Sequence, residues 1–93
     1  MSTAKSTRVP KLERKIAILR LLEDSGLILP PASIYVNIRY RGGTFSERTV
    51  HRLLAEMLGE GYVNQPLERE GYYQITESGK RYLRETLENE LNG

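Results

Sequence analysis

The sequence predicts a mainly helical α+β domain in the order helix, helix, helix, β-hairpin, helix. Three observations carry this. Residues 46–58 place apolar side chains at helical spacing, behind a serine and ahead of two glycines. Residues 62–75 hold two short strand-like segments around a six-residue turn, Pro66 to Gly71. Residues 10–25 and 77–91 repeat leucine and isoleucine at three- and four-residue intervals on either side.

Composition narrows the function classes. The 93 residues suffice for one domain with a modest core, so a single domain over residues 10–93 is expected. So small a domain gains from a second copy of itself. The chain has no cysteine, which excludes disulfide scaffolds, thiol catalysis and cysteine-ligated zinc. Charge interrupts every apolar run, so no signal peptide or membrane span is expected, and a cytoplasmic location is. Net charge is +2, unevenly placed: residues 1–52 carry ten Lys or Arg against four Asp or Glu, and residues 53–93 carry four against eight. The basic half favours a nucleic-acid partner.

Residues 1–9 read as a flexible basic arm with Lys5 and Arg8. A solvated tail and an arm along DNA both suit them. The first helix starts at Pro10, a residue suited to the first helical position, and stops at Gly26. Leu12, Ile16, Leu19 and Leu22 face inward, and Ile18 and Leu21 broaden the face. That breadth implies several neighbours, either other helices or a partner subunit. Lys11, Arg14 and Lys15 cluster at its start, against the helix dipole. A solvated face and phosphate contacts by Lys11 and Arg14 are both open readings.

Residues 27–30, where a winged helix often carries a tiny first strand, link tightly to a second helix, expected from Ala32 to Arg39 or Tyr40, with Pro31 able to open it. Ile34 and Ile38 face inward, with Tyr35 beside them. Alternation in residues 34–40 also permits a strand, but the double proline favours a helix. Gly42 and Gly43 supply a turn, and Phe45 plugs it.

Ser46 caps the third helix. Val50, Leu53, Leu54, Met57 and Leu58 form one apolar stripe. Arg48, Arg52 and Ala55 lie opposite, with Thr49 and His51 at the edges. A greasy inner face and a basic outer face with one small residue suit a DNA major groove, where arginine reaches a guanine edge bidentately. Arg48, Thr49, His51 and Arg52 are therefore the candidate base readers, with Arg52 foremost. Arg39, Arg41, Ser46 and Arg69 join Lys11 and Arg14 as candidate phosphate contacts.

Strand candidates Tyr62 to Gln65 and Tyr72 to Ile75 form the hairpin, with Val63, Tyr73 and Ile75 toward the core. Arg69 sits at its tip between Glu68 and Glu70. Thr76 caps a last helix, residues 77–91, in which Gly79 is a mild weakness. Leu83, Leu87 and Leu91 recur at four-residue spacing. Together with Leu12 and Ile16 they are the expected dimerisation surface. No catalytic site, metal site or cofactor is expected: His51 is the only histidine, no phosphate-cradling glycine loop is present, and Ser46 has no base beside it.

The order α-α-α-β-β-α, with a glycine turn before the basic helix, is that of a winged helix-turn-helix. The segments LPP (residues 29–31), NIRY (37–40), FSERTVHRLLAEMLGEGYV (45–63) and EGYYQITESGKRYL (70–83) resemble the small phage-repressor-like winged-helix proteins of halophilic archaea and their viruses, related in fold to MarR-type regulators. The resemblance covers about residues 10–87, and GYYQITESGKRYL is its most specific part. The chain departs from the acidic character of halophilic proteins in being net positive. The resemblance implies a dimeric DNA-binding transcriptional regulator, a repressor, with base contacts from the helix at Ser46 and residues 62–75 as the wing. Double-stranded DNA with a pseudo-palindromic operator is then the partner. The alternative is a winged-helix protein-interaction module, for which apolar or acidic residues belong on the outer face of residues 46–56.

Overall fold

Leu19, Leu22, Ile34, Leu53 and Leu54 have no solvent-exposed surface, and they come from three different helices. Their common core is what the amphipathic periods encode. The computed structural model describes residues 10–67 and 71–92. Its elements are α1 (Pro10–Ser25), α2 (Pro31–Tyr40), α3 (Glu47–Glu60), β1 (Val63–Asn64), β2 (Gln74–Ile75) and α4 (Glu77–Asn92). The order is the one expected from the sequence. The expected arm, residues 1–9, and the wing-tip residues Glu68, Arg69 and Glu70 lie outside the described residues.

The breadth of the apolar face of α1 has an internal explanation. This helix packs on α2, α3, α4 and β2 at once. Ile16 and Leu83, expected at a subunit interface, keep only 7% and 6% of their surface because the chain's own elements cover them. Leu12 and Leu87 pack against the same core and are half-buried. The side chain of Leu91 lies outside the described residues.

Pro30 holds the extended backbone needed ahead of a helix, and Pro31 opens α2 with its missing N–H at no cost. Ile34 and Ile38, one turn apart, are buried. The helical reading of this β-branched stretch therefore holds, and Val36 points to solvent.

Ser46 caps α3: its Oγ accepts the Thr49 backbone N–H at 3.2 Å. Val50, Leu53, Leu54 and Met57 are buried, but Leu58 is 37% exposed. Eight residues beyond Val50, Leu58 has rotated about 80° off the stripe, so its place in the apolar face is corrected. Gly61 ends the helix with φ 85°, its N–H on the Leu58 carbonyl.

The sheet pairs Val63 with Ile75 and Asn64 with Gln74, antiparallel. Each strand is two residues long, shorter than the four expected. Pro66 has no N–H with which to extend the ladder. Leu29 instead adds a one-residue third strand: it exchanges backbone hydrogen bonds of 2.9 and 2.8 Å with Tyr73. Tyr73 is thereby tied to the linker and is half-buried against the core.

Thr76 joins the wing to α4. Its Oγ1 accepts the Gly79 N–H at 2.9 Å and donates to the Gly61 carbonyl at 2.7 Å. Gly79 lies directly beneath the Tyr62 carbonyl, where a Cβ would overlap it. The Tyr62 and Tyr82 rings stack beside this crossing, 4.3 Å apart and 12° from parallel.

Candidate nucleic-acid interface

The outer face of α3 is where the core-facing stripe leaves side chains free. Arg48, His51, Arg52 and Ala55 are all exposed there, and Thr49 is half-buried at the edge. Thr49 also belongs to the cap, since its hydroxyl accepts a 3.2 Å hydrogen bond from Ser46. His51 Nε2 lies 3.6 Å from the Glu47 carboxylate one turn earlier. Arg48 and Arg52 make no ion pair among the described residues.

The other candidate cations among the described residues are engaged. Arg39 lies over the Tyr35 ring at 5.9 Å and donates to its hydroxyl at 3.3 Å. Arg41 reaches Asp24 of α1 at 3.2 Å, tying the end of α2 to the end of α1. Arg14 covers the Phe45 ring at 5.6 Å, and Phe45 is buried beneath the turn as expected. Lys11 pairs with Glu56 at 2.9 Å. These contacts are exposed or half-exposed, so they hold the cations weakly, and an exposed ion pair is worth about 0–1 kcal/mol.

Lys15 differs in kind from Lys11 and Arg14, beside which it sits in the sequence. It is 8% exposed. Its Nζ meets both Glu60 oxygens at 3.0 Å and Glu56 at 3.1 Å. A signal was present: Lys15, Ile18, Leu19 and Leu22 share one helical face, so a lysine there must find an anion. Burial acts to lower the Lys15 pKa, but the hydrogen bonds it donates to Glu60 and then Glu56, with their negative charge, raise it above its usual 10.5. Hydrogen bonds from Lys11 and Lys15 hold the Glu56 carboxyl below its usual 4.5.

The stability linkage has a definite sign. The Glu56 contribution is fully present above pH 4.5 and is lost as pH falls through its lowered value. The Lys15 contribution is fully present below pH 10.5 and is lost as pH rises through its raised value. Both hold across neutral pH. Glu56→Gln is expected to lower the melting temperature near neutrality and to shrink the fall on the acid side. Melting curves taken from about pH 2 to 9 check this. Parallel curves for the two proteins would show that Glu56 is uncoupled from its lysines.

Among the described residues no group of three or more His, Cys, Asp or Glu is placed to hold a metal ion. No described helix is long and apolar enough to cross a membrane.

A short helix, a glycine turn, a basic helix and a wing that runs into a closing helix make this a winged helix-turn-helix fold, one used by DNA-binding transcriptional regulators. The fold matches a regulator rather than an enzyme. Among solved structures, the chain is similar to the iron-bound ferric uptake regulator of Francisella tularensis, with a TM-score of 0.60 and 26% identity over 68% of this chain. The match spans half (50%) of that regulator's length. No family model matches the chain, and no curated protein does.

Proposed function

We propose that the chain is a sequence-specific, double-stranded DNA-binding transcriptional repressor that lays α3 in the major groove. The observation that carries this is the outer face of α3: Arg48 and Arg52 stand exposed there and without ion pairs among the described residues, opposite the buried Val50, Leu53, Leu54 and Met57. The likeness to a ferric uptake regulator supports a regulatory role. Arg52 and Arg48 read guanine edges, with Thr49 and His51 adding edge contacts. Arg39, Arg41, Ser46, Lys11, Arg14 and the wing's Arg69 hold phosphates and set the register. The phage-repressor-like assignment to halophilic archaea or their viruses belongs to the same proposal and rests on the sequence segments. So does a cytoplasmic location.

The repressor acts as a homodimer on a pseudo-palindrome, with half-sites about 34 Å apart. Leu87 and Leu91 of α4, with Leu12 of α1, supply the subunit contact. Titration against selected and scrambled duplexes at two salt concentrations tests DNA binding. Affinity falls steeply with salt on the selected duplex, because neutralised phosphates release counterions. Equal and negligible binding to both duplexes would end the proposal. Sedimentation at micromolar protein is expected to show a dimer that Leu87→Ala weakens; a monomer under every condition, DNA included, rules the dimer out.

A second reading, a protein-interaction module, is favoured by one observation. Val36 and Tyr40, a turn apart on the outer face of α2, are 60% and 89% exposed.

A further inference from the structure

Positions 48, 52, 56 and 60 form a single four-residue row along α3, reading Arg, Arg, Glu, Glu. Neighbours in such a row stand about 6 Å apart along the axis and touch readily. By sequence alone, Glu56 is therefore the natural partner of Arg52. In the structure it is not. Both Glu56 oxygens turn to α1, one to Lys11 at 2.9 Å and the other to Lys15 at 3.1 Å. Glu60 turns the same way, to Lys15 at 3.0 Å. Arg52 is left exposed and without an ion pair among the described residues.

We infer that Lys15, with Lys11, is a positioning pair for DNA reading: it draws Glu56 away from Arg52 and so keeps the Arg52 guanidinium available to bases. The inference rests on α3 as the reading helix. Competition supplies the mechanism. A carboxylate satisfies one set of donors at a time, and a buried ammonium that faces two carboxylates is the stronger claim on them. Lys15 is buried, so it does not itself reach DNA, and its effect on binding must pass through Glu56 and Glu60. The direction of the Glu56 pKa, held down by hydrogen bonds from the two lysines, agrees with that geometry.

When both lysines lose their charge, Glu56 swings to Arg52 and masks it. Removing the Glu56 charge then unmasks it again. A model in which Glu56 merely repels phosphate from a distance predicts something different, since its removal would then help by the same factor whether or not the lysines are present.

The test uses the full chain in four forms: wild type, Lys11→Met with Lys15→Met, Glu56→Gln, and all three changes together. Each is titrated with the preferred duplex. Glu56→Gln is expected to raise affinity up to about twofold more in the lysine-free background than in wild type. A phosphate contact by Lys11 is absent from both lysine-free forms, so the gain in that background reports Arg52 alone. An equal gain in both backgrounds overturns the inference. The second readout needs no DNA: the Arg52 Nε–Hε resonance shifts in the lysine-free form and returns when Glu56→Gln is added. An unmoved resonance also overturns it. Arg52→Ala separates the two layers of argument. If it leaves DNA affinity unchanged, α3 is not the reading helix, and the resonance alone then decides whether Lys11 and Lys15 control Glu56. Should the doubly substituted protein not fold, Lys11→Gln with Lys15→Gln carries the same resonance test, since it removes both charges that hold Glu56 while keeping polar side chains at both positions.

Discussion

Gly79→Ala is expected to destabilise the chain by about 3 kcal/mol, the upper range for forcing atoms into a packed site. Helix propensity alone predicts the opposite, a gain of about 1 kcal/mol for alanine over glycine in a helix interior. The structure reverses the sign. A Cβ on Gly79 would overlap the Tyr62 backbone carbonyl and lie 2.8 Å from Ile75 Cγ1. The carbonyl cannot withdraw, because it accepts the Thr76 N–H at 3.0 Å, and the Thr76 hydroxyl is fixed in turn on Gly61 and Gly79. Relief therefore moves α4 off the wing and opens the Tyr62–Tyr82 stack. Gly59→Ala is the matched control, since Gly59 is also helical and a Cβ there meets nothing within 4 Å. It is expected to stabilise by about 0.5–1 kcal/mol. Urea unfolding of both variants decides the matter: shifts of the two midpoints in the same direction would refute the close-crossing argument.

Arg52→Ala is expected to weaken binding to the preferred duplex by about 1–3 kcal/mol and to relax preference at one base position. Arg41→Ala is expected to weaken all duplexes alike and to reduce the salt slope by about one unit. The contrast follows from where the side chains stand. Arg52 projects from the outer face of α3, away from Val50, Leu54 and Met57, so its loss leaves the core intact. Arg41 lies just past the end of α2 and is held at Asp24, a pair whose loss costs little in itself. Both variants are titrated against the preferred duplex and its single-base variants at several salt concentrations. A uniform loss for Arg52→Ala, or none in a folded protein, would remove α3 from the role of reading helix and favour the protein-interaction alternative.

Much of the fold was legible because its signals are local. Ser46, the Val50–Met57 stripe and Gly61 lie within one helix length of each other, and each acts on neighbours a turn away. Pro30 and Pro31 outweighed the strand-like alternation of residues 34–40 for the same reason. The wing was legible as a hairpin but not in its detail. The linker at residues 27–30 reads as the place of a tiny first strand and Leu29 fills it, but its partner Tyr73 lies 44 residues away and no local pattern names it. The outward cations of α3 were legible from the helical period, whereas the occupation of Lys11, Lys15 and Arg41 by carboxylates on other helices was not.

The kind and order of the helices, the caps of the third and fourth and the basic character of the third are properties of the sequence alone. These follow from backbone periodicity and from side chains within a few residues. Only the tertiary structure decided which charges remain available, that Ile16 and Leu83 serve the chain's own core, and that Gly79 is a crossing point rather than a weakness. Each of those depends on groups brought together from distant parts of the chain, as Lys15 and Glu60 are across 45 positions, and their energy exists only once the helices have packed.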